Sequence, residues 1–384
     1  MKIILIITDY GSFNNFLAEV AVNLVELQHE VNVICGGEKI IDVTDKFDYE
    51  GLGIKFHFTE FPRSYNFLKL YLASIKIKAI IEQIEPDIVH VHFTTGVFTT
   101  VLSGKLRYFT AGTIHGIGYP VMESKVKQNI FKIIEHFCFR RLDRIYVLNN
   151  FDYSLLIKTY AKKVRKFSSS GVGCDLAKFN KANYTSDFLK NFRQDLSIMP
   201  HDFVIAFTGR FVHFKGFHLV VRGFLSLVEK YELTNIKLLL IGGRDPIHPT
   251  GLSDEEDLLY KNHNQIINVG FTAKVNDFLA ITDLFVFPSF KEGMPVCVME
   301  ALAMGVPVVT ADARGCNDLV DDKVNGVLLP EKPSVAEVQS AIYNLYSDKN
   351  TLKQYSDNAI STREVLGRQK YVEQQLKDYS DLIK

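Results

Sequence analysis

The stretch Pro288–Thr310, PSFKEGMPVCVMEALAMGVPVVT, decides how this chain is read. Before it, Asp283–Pro288 (DLFVFP) has the apolar run of a buried strand closed by a proline. Ser289–Met294 is a loop containing Gly293. Pro295 falls where a first helical residue belongs, since its fixed φ and missing N–H cost nothing there. Val296, Met299, Ala301, Leu302 and Ala303 make an apolar helix, which Gly305 ends as a C′ residue and Pro307 breaks. Val306–Thr310 is the next buried strand. The unit is therefore strand, loop, helix, strand.

Two carboxylates are out of place in so apolar a unit. Glu292 lies in the loop and Glu300 inside the helix, and carboxylates are seldom buried without partners. The helix start offers unbonded N–H groups at about residues 294–296, a ready anion site. Glu292, Gly293, Met294, Pro295, Val296 and Glu300 thus suit a ligand carrying both hydroxyls and phosphates. The plain alternative is a solvated loop carboxylate and an exposed helix stripe.

Working outward, strand Phe203–Thr208 is followed by Gly209-Arg210, then Lys215-Gly216 and an amphipathic helix over Phe217–Tyr231. Two cations flanking a glycine loop ahead of a helix can clamp a diphosphate, Arg210 as a fork and Lys215 as a point charge. Strand Lys237–Ile241 ends in Gly242-Gly243, Asn268–Phe271 is a short strand, and Lys274–Ala280 a short helix. Val327–Leu329 is a strand after an Asn-Gly turn, and Ser334–Tyr346 and Asn350–Tyr379 are helices.

The first half alternates in the same way, which predicts parallel sheets. Lys2–Thr8 and Glu30–Cys35 are strands around a loop with Gly11 and a helix over Asn14–Gln28. Helix Asn66–Ile84 leads to strand Asp87–Val91, with His90 and His92 at its end. Helix Thr95–Leu106 precedes strand Phe109–Ile114, which His115 closes. A helix over Ser124–Asp143, strand Arg144–Leu148, helix Asp152–Tyr160 and strand Val164–Ser169 complete this half. Leu176–Pro200 is polar and reads as irregular. The expected domains are 1–172 and 200–364, joined by a linker at 173–199, with a last helix at about 365–384 packed on the first domain.

Composition narrows the function. The chain has 384 residues, 47% apolar and 23% charged, with zero net charge, the profile of a globular protein with no polyanion partner. Its cysteines, 35, 138, 174, 297 and 316, lack C-x-x-C spacing, which argues for reduced thiols and against a zinc site. Met1–Thr8 is too short for a signal peptide, and no run reaches the length of a membrane span. No P-loop, dinucleotide fingerprint or nucleic-acid module is present.

EGMPVCVME resembles the E-x7-E signature of retaining glycosyltransferases of the GT4 group, set in the same Pro-Ser, E-G-M-P and E-A-x-A-x-G-x-P-V-V surroundings. G-R-F-x-x-x-K-G at 209–216 is similar to that family's donor-phosphate motif, and T-x-H-G at 113–116 to its histidine motif. The resemblance implies a GT-B fold, α/β, with two Rossmann-like domains facing across a cleft and a C-terminal helix crossing back. It implies transfer of a hexosyl or N-acetylhexosaminyl group from a nucleotide-diphosphate sugar, UDP-linked by expectation, to a hydroxyl with retention. Arg210 and Lys215 would hold the donor diphosphate, helped by the backbone at 294–296. Glu292 would bind sugar hydroxyls, Glu300 the ribose, and His115 the donor sugar near its 6-position. Gly11 faces the diphosphate in such enzymes, although they often carry two glycines where this chain has Gly11-Ser12. Phe271 joins the donor-binding set. No metal and no further cofactor is expected. Two other readings stay open: a GT-B epimerase or phosphorylase, and a non-catalytic sugar-nucleotide-binding subunit. A product assay separates the first, and binding without turnover would mark the second.

HGIGYP resembles capsule and O-antigen transferases acting on lipid-diphosphate-linked sugars, so the expected acceptor is a glycan or lipid-linked saccharide. Charge points to a membrane surface as well. Residues 1–60 carry 4 Lys/Arg against 10 Asp/Glu, whereas residues 61–171 carry 17 against 7. The excess gathers in Lys125, Lys127, Lys132, Arg140, Arg141, Arg144, Lys158, Lys162, Lys163, Arg165 and Lys166. Phe131, Ile133, Phe137 and Phe139 interleave with the first of these, as in a helix that enters a headgroup layer. The expected location is cytoplasmic, with docking on the anionic inner face of the plasma membrane. The plain alternative is a core aromatic stripe under a solvated basic face.

Overall fold

A computed structural model describes residues 1–37, 45–62, 66–122, 124–246 and 248–382. They form two compact units, Met1–Val172 with Gln369–Lys384, and Gly173–Arg368.

The first unit contains β1 (Lys2–Ile6), α1 (Tyr10–Phe16), α2 (Ala18–Glu26), β2 (Glu30–Cys35), β3 (Lys55–Phe58), α3 (Phe67–Ile84), β4 (Ile88–His92), α4 (Thr94–Val101), β5 (Phe109–Ile114), α5 (Lys125–Arg141), β6 (Arg144–Val147), α6 (Asn150–Tyr160) and β7 (Val164–Lys166). The strands pair in parallel in the order β3-β2-β1-β4-β5-β6-β7. Ile3–Ile6 and Ile88–His92 are buried along their length, as strands covered by helices on both faces must be. The order reverses between β1 and β4, and open α/β sheets bind ligands outside the strand ends at such a point.

The second unit contains α7 (Ser186–Asp195), β8 (Phe203–Phe211), α8 (Phe217–Tyr231), β9 (Ile236–Arg244), α9 (Asp254–Asn262), β10 (Ile266–Gly270), α10 (Val275–Ala280), β11 (Leu284–Phe287), α11 (Val296–Ala303), β12 (Val308–Ala311), β13 (Gly326–Leu329), α12 (Val335–Ser347) and α13 (Lys349–Thr362). Its parallel sheet runs β10-β9-β8-β11-β12-β13 and reverses between β8 and β11. Each unit has its own core, one around Ile4, Val91 and Ile145, the other around Phe207, Leu239 and Phe285.

The last helix, α14 (Arg368–Asp381), returns to the first unit. Tyr371 meets Phe167 edge-on at 4.8 Å, and the Tyr379 hydroxyl lies 2.5 Å from His90 Nδ1. Gln374 Oε1 accepts from the Ser168 N–H at 2.7 Å. Among the described residues no helix is long and apolar enough to cross a membrane.

Several expectations are corrected. The helix over Asn14–Gln28 starts earlier and breaks into α1 and α2 at Leu17, whose ψ of −8° lies outside the helical range. Gly11 is therefore in the first turn of a helix, not in a loop. Asp9 caps that helix, accepting from the Ser12 N–H at 3.0 Å. Residues 173–199 are no free linker: Cys174, Phe179 and Ile198 enter the second core, and α7 occupies part of the stretch read as irregular. The helix over Asn350–Tyr379 is interrupted by a 3-10 turn at Arg363–Leu366 and by extended Gly367, which pairs with Cys174 where the chain crosses. The last helix thus begins at Arg368 rather than near 365, and residues 383 and 384 lie outside the described residues. Phe139 is in the core and Phe131 and Phe137 are half-buried, so only Ile133 of the expected membrane-facing set is exposed.

Candidate active site

In the second unit the carboxyl ends of β8, β9, β11 and β12 bring the expected residues together. Lys215 follows β8 in a tight turn and is followed by Gly216, whose φ of +73° starts α8. A Cβ at Gly216 would sit 2.4 Å from the Pro288 carbonyl oxygen, so only glycine allows this turn to lie against the end of β11. That contact puts Lys215 beside the Ser289–Met294 loop.

Lys215 Nζ donates to Glu292 Oε1 at 2.6 Å, and the two side chains are only 17% and 11% exposed. Ser289 Oγ donates to the same oxygen at 2.7 Å. Among the described residues nothing bonds Glu292 Oε2, which leaves an acceptor for a ligand hydroxyl. Burial works against the Lys215 charge, but the Glu292 carboxylate, through its charge and its hydrogen bond, outweighs it and holds the Lys215 pKa above the ordinary lysine value. Lys215 is thus a cation at neutral pH. Burial pushes the neighbouring Cys297 thiol well up, so it stays protonated.

Arg210, half-exposed, is ion-paired with Asp245 and has its guanidinium 5.6 Å from the Phe214 ring centre. Lys291 Nζ lies 5.6 Å from the same ring. Arg314 Nε donates to the Glu292 carbonyl at 2.7 Å. The next residue, Gly315, has φ +79°, and its Cβ would fall 2.3 Å from the Gly293 carbonyl oxygen. The turn after β12 therefore supports the Glu292 loop by backbone contact.

Helix α11 begins at Val296. Pro295 is the residue before it, extended at ψ 113°, and no side chain caps the helix. The N–H groups at its start are those of Val296 and Cys297, one residue later than expected, because Pro295 has none. Met294 and Val296 are half-buried against the core. Glu300 is half-buried one turn further on, and its charge adds to burial in raising the Cys174 thiol pKa. Phe271 is 78% exposed beyond β10, with its ring over Gly243 where a Cβ would come within 2.5 Å. Cations, an uncapped helix start, a carboxylate oxygen and an exposed ring can together receive phosphate, hydroxyl and planar groups.

In the first unit His115 ends β5. Its Nε2 lies 3.2 Å from His92 Nδ1, and its ring packs 4.1 Å from Phe93. Burial pushes its pKa down to about 3, so it is neutral at physiological pH. His90, stacked 4.5 Å from His92, is likewise lowered to about 3. Two buried carboxylates hold the loop after His115. Asp152 accepts from the Ile117 N–H at 3.1 Å, and Glu135 accepts from Gly118 at 2.7 Å and Tyr119 at 3.0 Å. Gly11 is buried in the first turn of α1, which the Asp9 carboxylate caps.

Sequence reasoning missed Asp245, Lys291, Arg314, Glu135 and Asp152. Each acts through a partner far along the chain, and only the G-R-D run at 243–245 repeats a local cue already used for Gly209-Arg210.

Residues 14–166 match the family model for Glycosyltransferase Family 4, and residues 189–362 that for Glycosyl transferases group 1. The chain is 24% identical over 328 residues to the UDP-Gal:alpha-D-GlcNAc-diphosphoundecaprenol alpha-1,3-galactosyltransferase of Escherichia coli, covering 84% of this chain and 81% of that one. Among solved structures it is similar to sucrose-phosphate synthase from Thermosynechococcus elongatus, with TM-score 0.80, 17% identity, and 100% and 99% of the two chains covered. It is also similar to Anabaena HepE in complex with UDP and glucose, with TM-score 0.75, 16% identity and 99% of each chain covered. The last two likenesses speak to fold.

Proposed function

We propose, for a chain that belongs to the glycosyltransferases and carries a family 4 domain followed by a group 1 domain, a specific reaction in polysaccharide or lipid-linked saccharide synthesis. The donor is a UDP-sugar, the acceptor a hydroxyl of a lipid-diphosphate-linked saccharide, and the anomeric configuration is retained. The observation that carries this is the nearly buried Lys215–Glu292 pair set before the uncapped start of α11.

As the glycosidic bond to the donor breaks, negative charge grows on the leaving diphosphate. Fixed cations in a partly dry site stabilise that charge without reorganising. Lys215 and Arg210 supply it, with the N–H groups of Val296 and Cys297 aligned by the helix dipole. Glu292 Oε2 takes a sugar hydroxyl, and its Oε1 keeps Lys215 in place. Glu300 holds the ribose hydroxyls, and the Phe271 ring offers the uracil a face. His115, neutral, hydrogen-bonds the transferred sugar without adding charge. The leaving phosphate accepts the acceptor's proton, so no protein base is needed, and Lys215 and Arg210 take the place a metal would have on the diphosphate.

Docking of the first unit on an anionic membrane completes the reading. Lys125, Lys127 and Lys132 are exposed, and each basic residue near such a surface contributes about 1 kcal/mol, screened by salt. The exposed apolar residues of α5 are Val126, Ile130 and Ile133, not the phenylalanines expected from spacing. A thermal-shift screen of nucleoside diphosphates tests the donor assignment, since a ligand bound only by the native state raises Tm. UDP should give the largest rise. Equal rises with all bases, or none, would overturn it.

A further inference from the structure

Besides the donor site, the first unit contains a pocket of about 510 Å³, within the size range of small-molecule sites. Helix α4 packs against both α3 and α5, and the pocket opens among the three. Its walls are Leu70 of α3, Phe98 of α4, and Phe131 and Ile134 of α5. Its polar groups are Thr94 and Thr95 at the start of α4 and His115 just after β5. Glu135 also lines it, but both carboxylate oxygens accept from backbone N–H groups of the 116–119 loop. Its charge is therefore held by that loop.

The apolar character does not stop at the pocket. Phe67, Leu68, Tyr71, Leu72 and Ile75 of α3 are exposed, as are Val126, Ile130 and Ile133 of α5. Exposed apolar surface gathered on neighbouring elements marks an interaction site. The same two helices carry eight Lys/Arg against two Glu, a net of +6. An apolar slot entered between basic, apolar helices fits an anionic amphiphile. Because the pocket reaches His115, the occupant that fits is a substrate rather than a bulk lipid, which would stop at the outer helix faces.

We propose that this pocket holds the hydrocarbon next to the diphosphate of a lipid-linked acceptor, with the exposed faces of α3 and α5 leading the chain in. This rests on the acceptor class assigned under Proposed function. It makes the lipid a determinant of specificity, where contact with the saccharide alone would not.

The test uses two acceptors with the same saccharide diphosphate, one bearing an isoprenoid chain and one without it. Both are presented in detergent micelles, so that bilayer docking cannot create a preference. The wild-type protein should prefer the chain-bearing acceptor at least tenfold in kcat/KM. Ile134→Trp, which fills the pocket, and Phe131→Ser, which makes it polar, should each lower that ratio at least tenfold. Thermal unfolding followed by near-UV circular dichroism, compared with wild type, reports whether the first unit of each variant is folded. A wild-type ratio retained in both folded variants overturns the proposal, as does a preference seen only with vesicle-borne acceptor. Activity on both acceptors without preference overturns it while leaving the transferase reading intact. No transfer to either overturns that reading and this inference together.

Discussion

Lys215→Met is the perturbation whose outcome follows most closely from the site. The side chain is nearly buried and its Nζ lies 2.6 Å from Glu292 Oε1. Removing one partner of a buried pair leaves an uncompensated charge, at a cost of about 3–5 kcal/mol. Glu292 keeps Ser289 Oγ as a donor, so the lower end, about 3 kcal/mol, is expected. Binding of UDP loses one charge-assisted hydrogen bond, about 1.5–3 kcal/mol, or about ten- to a hundredfold in Kd. Adding Glu292→Gln removes the stranded carboxylate, so the double variant should regain most of the stability but only part of the UDP affinity, because the lost hydrogen bond from Lys215 is not replaced. Glu292→Gln alone should leave UDP binding no weaker, since it removes a negative charge beside the diphosphate, while transfer falls. Urea unfolding measures the stabilities and calorimetry the affinities. Lys215→Met binding UDP like wild type, or a double variant with fully restored affinity, would refute the reasoning.

The remaining expectations concern neighbouring parts of the molecule. His90 and His115 have folded pKa values of about 3 and His92 is lowered as well, so their contribution to stability is present above about pH 6.5 and is lost as pH falls below it; equal urea midpoints at pH 7 and pH 5 would contradict this. Gly216→Ala should destabilise by at least about 1 kcal/mol, because its φ is +73° and the new Cβ meets the Pro288 carbonyl, with UDP affinity falling as Lys215 shifts; an unchanged Tm is the contrary result. Glu300→Gln should weaken UDP binding with the fold intact, whereas silence in both assays removes the ribose role. Activity should survive EDTA, and a complete loss restored by Mn²⁺ or Mg²⁺ would place a metal in the reaction.

The regular parts of the fold were legible because each was announced locally. Glu30–Cys35, Phe109–Ile114 and Phe217–Tyr231 are apolar runs or stripes bounded by glycine or polar turns, and all three appear with the expected limits. Gly305 ends α11 with φ +72°, as its place before Pro307 requires. Strand β3 escaped because KFHF is partly exposed and carries no apolar run. Helix α9 was announced by the Ser253–Glu256 capping box and passed over because its body is polar. The site residues from the E-x7-E and R-x4-K spacings were readable, but their electrostatics were not. That Glu292 meets Lys215, 77 positions away, depends on Gly216 packing against Pro288, a contact no local pattern encodes. Arg314 and Gly315 support the same loop from beyond β12 for the same reason. On α5 the interleaved phenylalanines suggested a lipid face, yet helical geometry turns Phe139 into the core and Ile130 and Ile133 outward.

The central claim is a glycosyl transfer in which the donor's anomeric configuration survives. It is tested most directly by incubating the protein with a UDP-sugar and a prenyl-diphosphate-linked saccharide and reading the new anomeric proton by NMR, with released UDP quantified in the same tube. The account predicts one new glycosidic bond per UDP released, with the anomeric configuration of the donor. An inverted linkage would contradict the mechanism, and an isomerised sugar nucleotide with no new bond would contradict the reaction itself.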